Sequence, residues 1–171
     1  MLPIIEMEGM IKMALRQIRE VGDDLLRKKS RTVEVVDDKI REILEDKQET
    51  LKASKDGIGL AAPQVGILKR LVVIDLSAED GEIYKLVNPV IVKSKGEQVC
   101  REGCLSVPGM LGDVTRPKEI VVEALNENGE KIKIKAKDLL AIVLCHEIDH
   151  LDGVLFIDKA TELFDNVEEE D

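Results

Sequence analysis

Aromatic side chains make up only 2% of this 171-residue chain, with no tryptophan, one tyrosine and two phenylalanines. A core must therefore be built from Ile, Leu and Val, and a stacking platform for single-stranded nucleic acid is excluded. Positive charge is also in deficit. The formal net charge of −10 disfavours direct binding to a phosphate backbone, DNA included, which calls for a basic surface. No stretch approaches the ~20 apolar residues that span a membrane. Nor does the leader Met1–Lys12, which carries Glu6 and Glu8, resemble a secretory signal. The three cysteines are an odd count, so a reducing cytoplasm, with thiols free or on metal, is the expected setting.

What remains is the profile of one soluble globular domain, 44% hydrophobic and 35% charged, long enough to bury a core without disulfides. Met13-Ala-Leu-Arg reads like a second start, so residues 1–13 are expected to be an extension, followed by a catalytic domain over 14–160. From 161 on, an acidic tail is expected, frayed from Glu162. Apolar residues at Val36, Ile40, Ile43, Leu44 and Leu51 predict an amphipathic helix over Val36–Ser54, ended by Asp56-Gly57-Ile58-Gly59. Arg70–Leu76 predicts a buried strand, and Ile83–Val92 another, interrupted at Asn88-Pro89. Glu119–Leu125 and Lys131–Lys135 predict a hairpin around Asn126–Gly129. Asp138 is the expected N-cap of a helix over Leu139–Leu151 that stops at Gly153. This order is α+β with antiparallel pairing.

The chain has two histidines, and both lie in His146-Glu147-Ile148-Asp149-His150. At i and i+4 on a helix, two imidazoles share a face and can reach one metal ion, with Glu147 beside the open position. A catalytic site of this type needs a third protein ligand. A metzincin would place a histidine at 156, where this chain has Phe156. A thermolysin-like site would draw a glutamate from a downstream helix, but Glu168, Glu169 and Glu170 have no apolar face beside them. The cysteines are left. Cys104 sits in a loop-prone stretch between Gly103 and Pro108. Cys100 and Cys145 compete with it, although Cys145 points about 100° away from His146 on a helix. A structural Cys2His2 zinc using Cys100 and Cys104 is the rival reading of the same residues.

Three segments together resemble the peptide deformylase family: Gly57-Ile58-Gly59-Leu60-Ala61-Ala62-Pro63-Gln64, Glu102-Gly103-Cys104-Leu105-Ser106 and His146-Glu147-Ile148-Asp149-His150-Leu151. The likeness runs from about Ala14 to Ile157. Leu15–Arg27 is similar to the family's opening segment. The resemblance implies antiparallel sheets wrapped around a central HExxH helix, and removal of the formyl group from N-formylmethionyl peptides with release of formate. It implies one divalent ion on Cys104, His146 and His150, natively Fe²⁺, with Zn²⁺, Ni²⁺ or Co²⁺ as substitutes. Glu147 would be the general acid/base, Gln64 and the backbone N–H of Leu105 would hold the oxyanion, and Gly59, Ile58, Gly103 and Glu102 would line the substrate. A bacterial-type cytoplasmic setting with transient ribosome proximity follows. The chemistry agrees, since a formamide needs a strong nucleophile and a stabilised oxyanion.

Some positions depart from the family pattern. Cys145 stands where glutamine is usual, and Leu51-Lys52-Ala53 replaces a methionine and an aromatic residue. The acidic tail disfavours docking on ribosomal RNA through a basic C-terminal helix. Arg116 stands where the family has an arginine able to pair with Glu102, an exposed arginine being the alternative.

Overall fold

The computed structural model describes residues 15–166. Residues 1–13 and Glu168–Glu170, on which expectations were placed above, lie outside that range. A five-stranded antiparallel sheet has the order β1-β2-β3-β6-β7, formed by Gly59–Ala61, Leu71–Asp75, Ile83–Lys95, Glu119–Leu125 and Lys131–Lys137. A second sheet joins β4 (Gln98–Cys104), β5 (Val107–Arg116) and β8 (Glu162–Asp165). The helices are α1 (Asp38–Ala53), α2 (Leu139–Leu151) and the single turn α3 (Phe156–Lys159).

The β-branched run of β2 is explained by its burial on both faces. Leu71 and Val73 pack with Ile40, Ile43, Leu44 and Leu51 of α1. Val72 and Ile74 pack with Ala141, Leu144 and Ile148 of α2. A strand buried on both faces loses the polar/apolar alternation and reads as a continuous hydrophobic run. The α2 helix, buried at ten of its thirteen residues, is the central HExxH helix expected for the family. Its apolar side faces β2, β3 and β6, and its histidine side faces the second sheet.

Four expectations need correction or sharpening. Asn88-Pro89 does not end a strand: β3 runs on to Lys95 with a bulge between Val87 and Val90. Asn88 adopts φ 53°, and its side chain forms a reciprocal pair with the Val33 backbone (Val33 N to Oδ1 and Nδ2 to Val33 O, each 2.8 Å). That side-chain clasp stands in for ladder hydrogen bonds, so the strand bends but continues. Asp138 does not cap α2 with its side chain; Lys118 Nζ holds its carboxylate at 2.5 Å. Glu162 does not begin a frayed tail, because β8 pairs with Met110–Asp113 of β5. α1 begins at Asp38, with the Asp37 side chain accepting from Ile40 N at 3.0 Å.

Gly153 does end α2. Its φ is 75°, its N–H donates to His150 O (3.2 Å) and Val154 N–H to Asp149 O (3.0 Å). A Cβ at this position would run into the carbonyl of Arg27, so the chain turns here only with glycine.

Candidate active site

Cys104, His146 and His150 each turn one donor atom to a common point, and these atoms lie within 4.8 Å of one another. Two of the donors come from one face of α2, four residues apart. The third comes from the end of β4, where a bulge between Glu102 and Cys104 re-aims the strand. The Cys104 Sγ–His150 Nε2 distance is 3.3 Å. Cys100 and Cys145 stand outside the cluster among the described residues, which removes the C-x3-C structural zinc. Cys145 packs in the core beside Leu144 and Ile148, and Cys100 is half-buried on β4.

The donors suit a first-row divalent ion. One sulfur and two imidazoles are a borderline-soft set, and three protein ligands are the number a catalytic site keeps. Burial opposes charge on His146, yet the Cys104 sulfur and the Glu102 and Glu147 carboxylates outweigh it and push its pKa up to about 10. These surroundings favour a cation at that point. A metal ion supplies one and displaces the proton, so binding releases H⁺. His150 is driven the other way, by burial and by the charge on His146, and stays neutral.

His146 is oriented from behind. Its Nδ1 donates to Glu102 Oε1 at 2.8 Å, leaving Nε2 for the ligand cluster. Glu102 is in turn gripped by Arg116, with Nε and Nη2 each 2.9 Å from a carboxylate oxygen. Arg116 Nη1 also donates to Asp149 Oδ2 at 2.7 Å. Burial alone would raise the Glu102 pKa, but these donors hold it below the usual range. Such a carboxylate–histidine arrangement fixes the tautomer and ring orientation of a metal ligand. Arg116 is buried, so its reading as an exposed arginine is overturned. The Glu102 side chain, expected along the substrate, is committed to Arg116 and His146. On the opposite flank Phe156, where a metzincin would have its histidine, stacks on His146 (centroids 6.1 Å apart, planes 22° apart).

Glu147 is buried, and its Oε2 has no hydrogen-bond partner among the described residues. Burial raises its pKa, against the charges of His146 and Lys47. A carboxyl group with an unused oxygen at a cavity wall is equipped to take and return a proton. Gly59 makes room for it: a Cβ there would lie 2.6 Å from Glu147 Oε1.

Gln64 is held in a 3-10 turn, Ala62–Val65. Its Oε1 accepts from Ala61 N (2.9 Å), which aims Nε2 at Ser106 Oγ (3.0 Å) and Cys104 Sγ (3.6 Å). Leu105 occupies the turn between β4 and β5. Ile58, Gly59, Glu102, Gly103, Leu105 and Glu147 all line one cavity beside the cluster. Its volume is about 520 Å³, room for a few residues of peptide. The sequence reading missed Ser106 as the partner of Gln64; its place after Cys104-Leu105 was the available signal. It also missed Ile142 and Val143, whose side of α2 forms the cavity's apolar wall.

Comparison with known proteins decides the family. The family model for polypeptide deformylase matches residues 15–165. The chain belongs to the polypeptide deformylase family. It is 56% identical to a peptide deformylase of Acetivibrio thermocellus, over 92% of this chain and 91% of that protein. With peptide deformylase 2 of Clostridium acetobutylicum the identity is 61%, over 88% and 98%. Among solved structures, a peptide deformylase from Synechococcus elongatus in complex with actinonin superposes with a TM-score of 0.83 at 42% identity, covering 89% of this chain and 84% of that one. This deformylase-family chain is a metal-dependent hydrolase, and the family removes the N-formyl group from nascent peptides. No helix among the described residues is long and apolar enough to cross a membrane.

Proposed function

We propose that deformylation is carried out in this cavity by Glu147, with Gln64 and Leu105 at the oxyanion and Cys104, His146 and His150 holding the metal. The observation that supports it most is the convergence of three donor atoms next to a buried, unpartnered carboxylate oxygen. When bound, a divalent ion lowers the pKa of a water molecule towards ~7 and withdraws electrons from the formyl oxygen. Fe²⁺ is the native ion in this reading, and Zn²⁺, Ni²⁺ and Co²⁺ fit the same donors.

Glu147 takes the water proton at its free oxygen and returns it to the departing amine nitrogen, so formate leaves from a neutral amine. Gln64 Nε2, pre-aimed by the Ala61 N–H, and the Leu105 N–H neutralise the charge that gathers on the formyl oxygen. Losing one such donor costs ~3–4 kcal/mol of transition-state stabilisation. β1 is an edge strand, bonded to β2 on one side. Gly59, Ile58 and Gly103 offer backbone to an extended peptide on its other side, in the manner of strand addition. Glu102 acts through His146. Residues 14–160 with the β8 strand form the catalytic unit, and residues 1–13 are an extension. The setting is the bacterial-type cytoplasm, near ribosomes, where formylmethionyl chains emerge; DNA is not a partner.

Formate release from formyl-Met-Ala-Ser by anaerobically prepared, Fe²⁺- or Ni²⁺-loaded protein tests the assignment. Glu147→Ala is expected to retain metal and lose turnover by at least ~10²-fold. Undiminished turnover by that variant would remove Glu147 as the proton carrier. Cys104→Ala should weaken metal binding, and Cys100→Ala should not.

A further inference from the structure

The outer face of β3, β6 and β7 is built unlike the rest of the molecule. Residues directly opposite in an antiparallel ladder share a face, and the register stacks Lys95 with Glu119 and Lys137, and Lys93 with Val121 and Lys135. Further along, Val90 lies with Glu123 and Lys133, and Leu125 with Lys131. All six lysines are exposed. Against two glutamates they leave an excess of four positive charges, on a chain whose net charge is −10. Among the described residues, only Lys133 of the six has a carboxylate within 4 Å (Glu123, 3.8 Å).

Lysines on an edge strand discourage aggregation, which accounts for β7. Lys93 and Lys95 also stand on an edge, because that part of β3 is paired with β6 alone, but edge protection does not require both lysine rows to stand on one face. The strands are ~4.8 Å apart and rise ~3.4 Å per residue. The backbone positions of the lysines therefore fall in two parallel rows ~10 Å apart, two on β3 and four on β7, with successive lysines ~7 Å apart. Between the rows runs the shallow trough over Val121. Among the described residues of this face there is no aromatic ring to stack a base and no arginine fork to read one. The far end of the face leads from Lys137 in two residues to Leu139, on the rim of the catalytic cavity.

We propose that this lysine face docks the enzyme on single-stranded RNA through its phosphate backbone, without sequence preference. The choice of RNA over other polyanions rests on the deformylase reading, because nascent chains emerge beside RNA. The overall negative charge opposes such binding and the local lattice favours it, so the affinity should be modest and strongly salt-dependent.

Fluorescence anisotropy of a labelled 20-nucleotide single-stranded RNA with the metal-loaded full chain tests this. About five phosphate contacts predict a ~100-fold loss of affinity between 50 and 200 mM salt. Lys93→Gln/Lys95→Gln/Lys135→Gln should lower the salt slope by about 2, and the corresponding Lys→Glu triple variant should abolish binding. Both variants should hydrolyse free formyl-Met-Ala-Ser as the parent does, which separates a failed RNA contact from a failed deformylase assignment. Absence of RNA binding by the parent, binding unaffected by the triple variants, or variant-sensitive binding to anionic vesicles or duplex DNA but not to RNA would each overturn the proposal.

Discussion

Arg116 and Lys47 are both buried, and they are treated in opposite ways. Arg116, 3% exposed, meets two carboxylates: Glu102 through two parallel hydrogen bonds and Asp149 through a third. Its charge is held firmly, and its pKa lies above the ordinary arginine value because Glu102 and Asp149 outweigh burial. Lys47, 0% exposed, sits in the middle of the apolar stripe of α1 and donates to a single backbone carbonyl, Leu71 O, at 2.8 Å. Burial depresses its pKa to about 7, with only the distant attraction of Glu147 opposing that. Equal burial thus gives a fixed structural charge in one place and a marginal one in the other. The difference lies in the partners, since a desolvated charge is tolerated when its donors are matched by carboxylates.

The largest consequence concerns Arg116. Arg116→Met would strand the Glu102 carboxylate in the interior, and removing one partner of a buried pair costs ~3–5 kcal/mol. Urea unfolding of the metal-free protein should show a loss of that size. Competition with a chelator should show metal affinity roughly 10–100-fold weaker as His146 loses its oriented partner. Retained stability and affinity together would mean that Arg116 does not act through Glu102.

Lys47 should behave in reverse. Lys47→Met keeps the volume and removes the misplaced charge, so it should raise stability by a few kcal/mol at pH 7. The direction with pH follows from proton uptake. Between pH ~7 and ~10.5 the unfolded chain keeps a proton on Lys47 that the folded chain has released. Stability of the parent protein, relative to Lys47→Met, therefore climbs with pH across that window and flattens above it. A Lys47→Met variant no more stable than its parent at pH 7 would show that the Leu71 carbonyl and Glu147 satisfy the ammonium group after all.

The smallest effect is at the margin of the Arg116 network, where half-exposed Lys159 lies 3.0 Å from Asp149 Oδ2. Lys159→Ala should change stability by no more than ~1 kcal/mol, and less in high salt. A larger loss would extend the buried network to the surface.

The same contrast explains what could be read from the sequence. The donor cluster was legible because HExxH is a local pattern whose geometry a helix fixes, and because eliminating Phe156 and the tail narrowed the candidates for a third donor. Arg116 was half legible: its pairing with Glu102 was anticipated through the family, but its burial and its reach to Asp149 depend on β5 lying over α2. Lys47 was not legible. The stripe Ile40, Ile43, Leu44, Leu51 has a gap at the position Lys47 fills, and a charged residue type suggests solvent. β8 was misread for a related reason. Four residues of an acidic stretch become a strand because β5 presents a free edge and Leu163 and Phe164 can lie on it, with Arg101 4.0 Å over the Phe164 ring. Local composition carries no record of a waiting edge. Asn88 shows a third limit, because a side chain that replaces ladder hydrogen bonds turns an apparent strand break into a bend.

Gly59 carries a consequence for drug resistance. Any side chain at this position must displace the carboxyl group of Glu147, so mutation has no harmless route there. On the proposed role of Glu147, an inhibitor that takes its affinity from the main chain of β1 at Gly59 would grip a stretch of wall that cannot be redecorated without moving that carboxyl group. Compounds that lean instead on the side chains of Ile142 or Val143 would leave the target free to evolve away from them.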